Sequence, residues 1–436
     1  MTTELVRFTQ WAREAPQRRY TSLMGMLCDP AGLYASFERQ PGNKAAGVDG
    51  MRKADYGAGV EVRLAALSTG LRCMGYRPQP ARRVYIPKAN GGSRPLGIPC
   101  FEDRIVQDRL AGILGAIWEP EFRDCSYGFR PGRNAHQALK RLGEVVIKGG
   151  TQWLVEADIK GFFDHVSHDW LMRFLAHRIA DPNLLRVIRR FLKAGILEDG
   201  VFQSSEEGTP QGGLVSPVLA NIYLHYVLDV WFEKRFAPAC RGRAHLVRYA
   251  DDFVACFTAE ADARQFQEEL IVRLAQFGLE VEPSKTALIR FGGQALRLSR
   301  QPGQGKAATF NFLGFTHFVG RSRRGCFMVG RKTQKERMTK QLKAFSERLK
   351  MLRTQGGKAM MIYARQHLRG HLAYYAVSGN SRSLRQYFYV ASRILFKWLN
   401  RRSQRRSFPW KRFGPLLREW LPPIRIVHNL YPSYCE

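Results

Sequence analysis

The segment 245–257, His-Leu-Val-Arg-Tyr-Ala-Asp-Asp-Phe-Val-Ala-Cys-Phe, constrains this chain more than any other. Apolar, β-branched and aromatic residues flank a single acidic pair, the pattern of two short buried strands meeting at a turn. Asp251 and Asp252 therefore crown a hairpin. Adjacent carboxylates repel each other and an unpaired buried charge is costly, so the arrangement calls for a cation. A hard divalent ion with oxygen ligands meets that need. Taken alone, Asp-Asp is more often an ordinary polar turn, and the rest of the chain has to separate the two readings.

A third carboxylate stands where it could join the pair. Trp153-Leu154-Val155-Glu156-Ala157-Asp158-Ile159 reads as a strand with Asp158 near its end, ahead of the turn Gly161-Phe162-Phe163-Asp164-His165. A helix-capping Asp would sit at the first helical turn, and Asp158 lies before it. The glycine-punctuated loop Glu206-Glu207-Gly208-Thr209-Pro210-Gln211-Gly212-Gly213 opens a helix over about 217–236, so its backbone N–H groups can approach a nucleotide closely. Residues 82–88 and 93–99 form a ribbon around Asn90-Gly91-Gly92 that would present Lys88 and Arg94 to a polyphosphate. A merely solvated hairpin fits the same spacing.

Other segments are plainer. The loop 42–50 is Gly-rich without P-loop spacing and reads as scaffolding, and Gly303-Gln304-Gly305-Lys306 lacks the following Ser or Thr. Helical periodicity covers 101–118, a helix beginning at Ala135, and 260–277. A linker is expected at 321–330, with a separate all-helical, basic region after it. In that region His367 and His371 have the spacing of a metal pair on a helix but no nearby carboxylate, and they read as a packing or RNA-facing feature.

Charge narrows the partner. The chain of 436 residues carries a formal net charge of +32, and residues 321–436 hold 27 Lys and Arg against 4 Asp and Glu, which is +23 of it. Aromatics such as Tyr374, Tyr375, Tyr387, Tyr389, Trp398 and Trp410 are interleaved there, a nucleic-acid signature. No apolar run has the length of a membrane span. The eight cysteines include no C-x-x-C pair, which argues against zinc modules and a disulfide framework and for a reducing compartment. Residues 1–20 lack the apolar core of a secretory signal. The expected location is the cytoplasm of a bacterium.

Together, one Asp at a strand end, two on a hairpin, a Gln-Gly loop and paired cations on a ribbon form a consistent site for nucleotidyl transfer with two Mg²⁺ ions. The ordered motifs Gly47-Val48-Asp49-Gly50, Ile86-Pro87-Lys88 with Arg94-Pro95-Leu96-Gly97-Ile98-Pro99, Tyr127-Gly128-Phe129-Arg130-Pro131-Gly132-Arg133, Asp158-Ile159-Lys160-Gly161-Phe162-Phe163-Asp164, Gly208-Thr209-Pro210-Gln211-Gly212-Gly213 and Tyr249-Ala250-Asp251-Asp252 resemble those of group II intron reverse transcriptases, or maturases. Pro283-Ser284-Lys285-Thr286, Phe312-Leu313-Gly314-Phe315 and the stretch 367–375 extend the resemblance, which covers roughly 40–400.

The resemblance implies an α+β right-hand polymerase: an N-terminal extension and fingers over 1–145, a palm with an antiparallel sheet over 146–325, and an all-α basic thumb, the maturase domain X, over 326–436. By the same resemblance Asp158, Asp251 and Asp252 bind two Mg²⁺ ions, with Asp252 in a supporting part. Phe163 would lie beneath the sugar of the incoming nucleotide and exclude a 2′-hydroxyl. Gln211 would line the nucleotide pocket, Lys88 and Arg94 would contact the triphosphate, and Lys285 would stand near the leaving group as a proton donor. Implied partners are group II intron RNA, an RNA template with its DNA primer, and dNTPs, with no membrane and with a homodimer left open. Many relatives continue into a DNA-binding region and a Cys/His-rich endonuclease, and no such pattern is expected here. The leading expectation is RNA-directed DNA synthesis combined with assistance to intron splicing. A purely RNA-binding splicing maturase, and a domesticated enzyme of DNA repair or phage defence, are the alternatives.

Overall fold

Period-2 alternation of apolar residues builds the sheets, and amphipathic helices cover them. The computed structural model describes residues 3–87, 92–209, 212–322, 324–401 and 409–431. Eleven strands occur among the described residues: β1 (Ala81–Pro87), β2 (Ser93–Ile98), β3 (Trp153–Ala157), β4 (Ile196–Glu198), β5 (Val201–Gln203), β6 (Ala244–Tyr249), β7 (Asp252–Phe257), β8 (Ala287–Arg290), β9 (Phe310–Phe312), β10 (Phe315–Arg321) and β11 (Phe327–Thr333). They form three sheets, ordered β2-β1-β4-β5, β6-β7-β3-β8 and β11-β10-β9. The β1–β2 ribbon is antiparallel from Arg82↔Ile98 to Pro87↔Ser93, as its sequence predicts. The expected helices appear as Phe101–Trp118, Ala135–Lys148 and Glu260–Gln276.

The middle sheet is antiparallel throughout, and its pleat divides two cores. Successive side chains on a strand point to opposite faces. Val155, Ala157, Phe253, Ala255 and Phe257 accordingly enter one buried cluster, with the helices Phe101–Trp118 and Glu260–Gln276. Leu154, Val247, Val254 and Cys256 enter the other. That second cluster runs without interruption into Phe312, Phe315 and Val329 of the third sheet and into Phe345, Leu368, Leu384 and Leu395 of the basic helices Lys335–Leu352, Gly357–Tyr375 and Ser381–Asn400.

This corrects one expectation from the sequence. Residues 321–330 are not a linker, because β10 and β11 pair continuously from Phe315↔Thr333 to Arg321↔Phe327. The alternation in β11 is hidden by a charged residue facing inward: Val329, Arg331 and Thr333 are all buried, and Arg331 Nη2 donates to the Leu139 carbonyl at 2.8 Å. The helical region therefore begins only at Lys335, and its core is continuous with the face of the middle sheet.

The histidine pair is a packing feature. His371 stacks on Tyr387 with ring centroids 3.6 Å apart and planes at 7°, its Nδ1 lies 3.0 Å from Gln341 Oε1, and His367 Nε2 lies 2.7 Å from Tyr387 Oη. Burial holds His371 down to about 3, with the charge of His367 adding to the effect. A folded pKa below the ordinary 6.5 means that this contribution to stability is complete above pH 6.5 and is lost as pH falls towards 3. The expected loss at pH 5 is about 2 kcal/mol from this ring. Circular dichroism melts between pH 7 and 5 measure it, and His371→Phe, which keeps the stack without a titrating nitrogen, is expected to flatten the profile. Among the described residues no helix is long and apolar enough to cross a membrane.

Candidate active site

The acidic hairpin forms as its sequence predicts. Strands β6 and β7 pair from Ala244↔Phe257 to Tyr249↔Asp252, which leaves Ala250 and Asp251 as a two-residue tip. Ala250 takes φ 58°, the left-handed region that L-residues with a side chain seldom occupy. On its other edge β7 pairs with β3 as far as Ala157↔Phe253. The next position of that ladder sets Asp158 opposite Asp252, and facing residues in an antiparallel pair have Cβ atoms about 4.5–5.5 Å apart. Two carboxylates 94 positions apart in the chain thus meet because both end neighbouring strands.

The same pleat selects the face. Glu156 and Asp158 follow Leu154 in steps of two, and Asp252 precedes Val254 and Cys256 in the same way, so all three acids point toward the basic helices. There they line a cavity of about 340 Å³ with Lys285, Asn311 and Arg337. Asp252 sits at its mouth, open to solvent on one side and crowded on the other. Burial, then the charges of Asp251 and Asp158, raise its carboxyl to about 6, against the opposing pull of Arg337 and Lys285. Glu156 is pushed up to about 7, mainly by burial and further by Asp252 and Asp158, although the Asn311 backbone works against the rise. Lys285 Nζ donates to Asp158 Oδ2, and this bond raises the lysine above its ordinary value.

These residues have the chemistry of a hard-cation site. Their donors are carboxylate oxygens, and the charge of each neighbour makes it harder for Asp252 to ionise, a tension that a divalent cation relieves. Among the described residues no three His, Cys, Asp or Glu side chains are already gathered closely enough to hold a metal. In this arrangement Asp158 is instead neutralised by Lys285.

The remaining residues singled out in the sequence are placed unevenly. Phe163 is half-buried in the 3₁₀ turn Phe162–Asp164, with its ring edge-on to Phe162 at 5.3 Å. Its carbonyl accepts from the Thr209 N–H at 2.7 Å, which ties the Gly-rich loop to the turn that follows Asp158. At Gly212 the loop closes on the ribbon: a Cβ there would lie 2.2 Å from the Gly97 carbonyl oxygen, so only glycine permits the approach. Strand ribbon, loop and acidic sheet thus converge. Lys88 and Gln211, and the side chain of Arg94, lie outside the described residues.

Two members of the cavity went unread in the sequence. Glu156 could have been found, since an acid two residues before Asp158 on a strand must share its face. Arg337 could not, because it comes from the first turn of a helix 179 positions beyond Asp158, with no local signal linking them.

Comparison with known proteins agrees with this geometry. Residues 86–317 match the family described as reverse transcriptase (RNA-dependent DNA polymerase). The chain is 36% identical over 276 residues to Protein YkfC of Escherichia coli, covering 56% of this chain and 72% of that protein. It is 40% identical over 222 residues to the group II intron-encoded protein LtrA of Lactococcus lactis, covering 51% of this chain and 37% of LtrA. A shorter match, 35% identical over 95 residues, is to the mitochondrial nuclear intron maturase 1 of Arabidopsis thaliana and covers 22% of this chain and 13% of that protein. The family match covers more than half of the chain and contains the acidic hairpin, Asp158 and the Gly-rich loop, so this chain belongs to the reverse transcriptase (RNA-dependent DNA polymerase) family, and its enzymatic class is RNA-directed DNA polymerase.

Proposed function

We propose that the chain extends a DNA primer on an RNA template at the cavity beneath the acidic hairpin, and that it binds a group II intron RNA to assist splicing and mobility. The observation that carries the reading is the meeting of Asp158 and Asp252 at adjacent strand ends over a cavity that also holds Lys285 and Arg337. In this reading 1–145 serve as an N-terminal extension and fingers, 146–325 as the palm, and 326–436 as a thumb whose helices begin only at Lys335, after strand β11. Asp158 and Asp251 hold the metals, with Asp252 in support.

Two bound Mg²⁺ ions would supply activation of the primer 3′-hydroxyl and stabilisation of the departing pyrophosphate. The protein's own part is positioning and charge. Lys285, held by Asp158 through a bond that raises it above its ordinary value, is the group that would donate a proton toward the leaving group. Arg337 brings a positive charge from the basic helices to the cavity, where it would offset phosphate charge. Lys88, Arg94 and Gln211 take the triphosphate and base side of the incoming dNTP. The basic helices take the intron RNA, as the names of LtrA and of the Arabidopsis maturase fit.

Purified protein with a primed RNA template, dNTPs and Mg²⁺ is expected to lengthen the primer, and EDTA to stop it. No extension of any primed template at low salt would refute the reading. A sharper test concerns Phe163. If its ring lies under the sugar, Phe163→Ala is expected to improve rNTP use relative to dNTP by about 10-fold or more, the size of effect that removing one steric barrier from a pocket commonly has. Single-nucleotide incorporation kinetics give the ratio, and unchanged discrimination with retained activity would assign Phe163 to the core alone.

A further inference from the structure

Beneath the acidic tip lies a buried polar network that the chemistry above does not use. Arg248, two residues before Ala250, is fully buried, and all five of its N–H groups are engaged. Nε donates to Asp229 Oδ1 at 2.7 Å, and Nη2 donates to Asp229 Oδ2 at 2.5 Å and to Ser126 Oγ at 2.8 Å. Nη1 donates to Asn221 Oδ1 at 3.1 Å and to the Ala250 carbonyl at 2.9 Å. Asn221 in turn donates from Nδ2 to the Gly128 carbonyl at 2.7 Å. Asp229, Ser126 and Asn221 are themselves buried.

A second element presses on the preceding peptide, between Tyr249 and Ala250. The loop carrying Gly128 is laced to β6, with the Tyr127 N–H bonded to the Arg248 carbonyl at 2.9 Å and the Arg248 N–H to the Cys125 carbonyl at 2.7 Å. A Cβ at Gly128 would lie 2.4 Å from the Ala250 nitrogen and 3.0 Å from the Tyr249 carbonyl carbon. The two peptides that flank Ala250 are therefore both held, the one leading into Asp251 by a guanidinium and the one before it by the close approach of a glycine backbone. Ala250 needs such a grip, because it sits at φ 58° without the freedom of glycine, a conformation that persists only where its surroundings impose it.

We propose that Arg248 is a positioning residue for nucleotidyl transfer: through its bond to the Ala250 carbonyl it holds the hairpin tip in the left-handed turn that aims Asp251 and Asp252 at the metal position. The inference rests on the reading of those carboxylates as metal ligands. Its reach is specific. Asp229 and the guanidinium neutralise each other in the interior, and a bidentate fork is required to serve Asp229 while a second edge still reaches Ala250. Lysine can keep the charge pair but not both edges.

The test uses the full-length protein in four forms: Arg248→Lys, Gly128→Ala, Arg248→Lys with Ala250→Gly, and Asp251→Ala. Arg248→Lys and Gly128→Ala disturb the two peptides that flank Ala250, and each is expected to lower the rate of primer extension about 10- to 100-fold. Each is also expected to raise the Mg²⁺ concentration for half-maximal rate about 10-fold. Mn²⁺ binding followed by electron paramagnetic resonance, a readout independent of turnover, should weaken in parallel. Adding Ala250→Gly to Arg248→Lys should restore part of both losses, because glycine adopts the left-handed turn unaided. A role confined to stability would lower the melting temperature without moving the metal dependence and without this rescue. If Arg248→Lys fails to fold, Gly128→Ala carries the same test at the neighbouring peptide. A folded Arg248→Lys or Gly128→Ala with wild-type Mg²⁺ dependence, alongside an inactive Asp251→Ala, overturns the role of Arg248 alone. Full activity in Asp251→Ala overturns the metal reading and the inference with it.

Discussion

Asp251→Ala is expected to reduce primer extension by several orders of magnitude while leaving RNA affinity within about twofold of wild type. Removing an electrostatic clamp from a phosphoryl transition state costs on the order of 3–4 kcal/mol for a single donor, and more where a metal is lost as well. The substitution takes one carboxylate from the hairpin tip and leaves the packing beneath it, since Asp251 lies on the turn outside both buried clusters. It also removes the first of the charges acting on Asp252, whose carboxyl should then ionise more readily than at about 6. RNA binding should persist because the exposed arginines of Gly357–Tyr375 and Ser381–Asn400 are not among the residues that line the cavity beneath the tip. Splicing of a cognate intron should persist too, if the protein only stabilises the RNA fold. Paired primer-extension and splicing assays on a variant shown by thermal melt to be folded measure the division. Loss of both activities would show that the tip serves RNA folding as well.

The second large effect is expected on the basic helices. Arg365 and Arg369 on Gly357–Tyr375, and Arg382 and Arg385 on Ser381–Asn400, are exposed. None of the four forms a salt bridge to an acid among the described residues. Replacing all four by Gln should reduce the slope of log affinity against log salt by about 0.7–0.9 for each phosphate no longer neutralised, and weaken RNA binding by roughly 10- to 1,000-fold at moderate salt. Surface charge is the better target than truncation near Gly330. Cutting there would sever β11 and expose a core that Phe345 and Leu368 share with Val254 and Cys256 of the middle sheet. Filter binding across a salt series gives the slope. An unchanged slope would move the RNA surface to residues 1–145, the proposed fingers.

Local pattern in the sequence makes much of this protein legible. The hairpin of β6 and β7, the ribbon of β1 and β2 and the helix Phe101–Trp118 all follow from short-range periodicity, because a side chain's face is set by the backbone period alone. The acidic residues were legible for the same reason: a carboxylate inside an apolar strand conflicts with burial, and such conflicts mark function. Three features were out of reach. The supposed linker at 321–330 takes in the end of β10 and the start of β11, whose Arg331 is buried against the Leu139 carbonyl, an acceptor 192 positions away that no local window contains. Arg337 joins Glu156 and Asp158 at one cavity only through the packing of the basic helices on the middle sheet. Arg248 reads in the sequence as one more cation beside a strand, yet its partners Ser126, Asn221 and Asp229 come from two other segments. Periodicity tells which way a side chain points, and only the assembled core decides what it meets there.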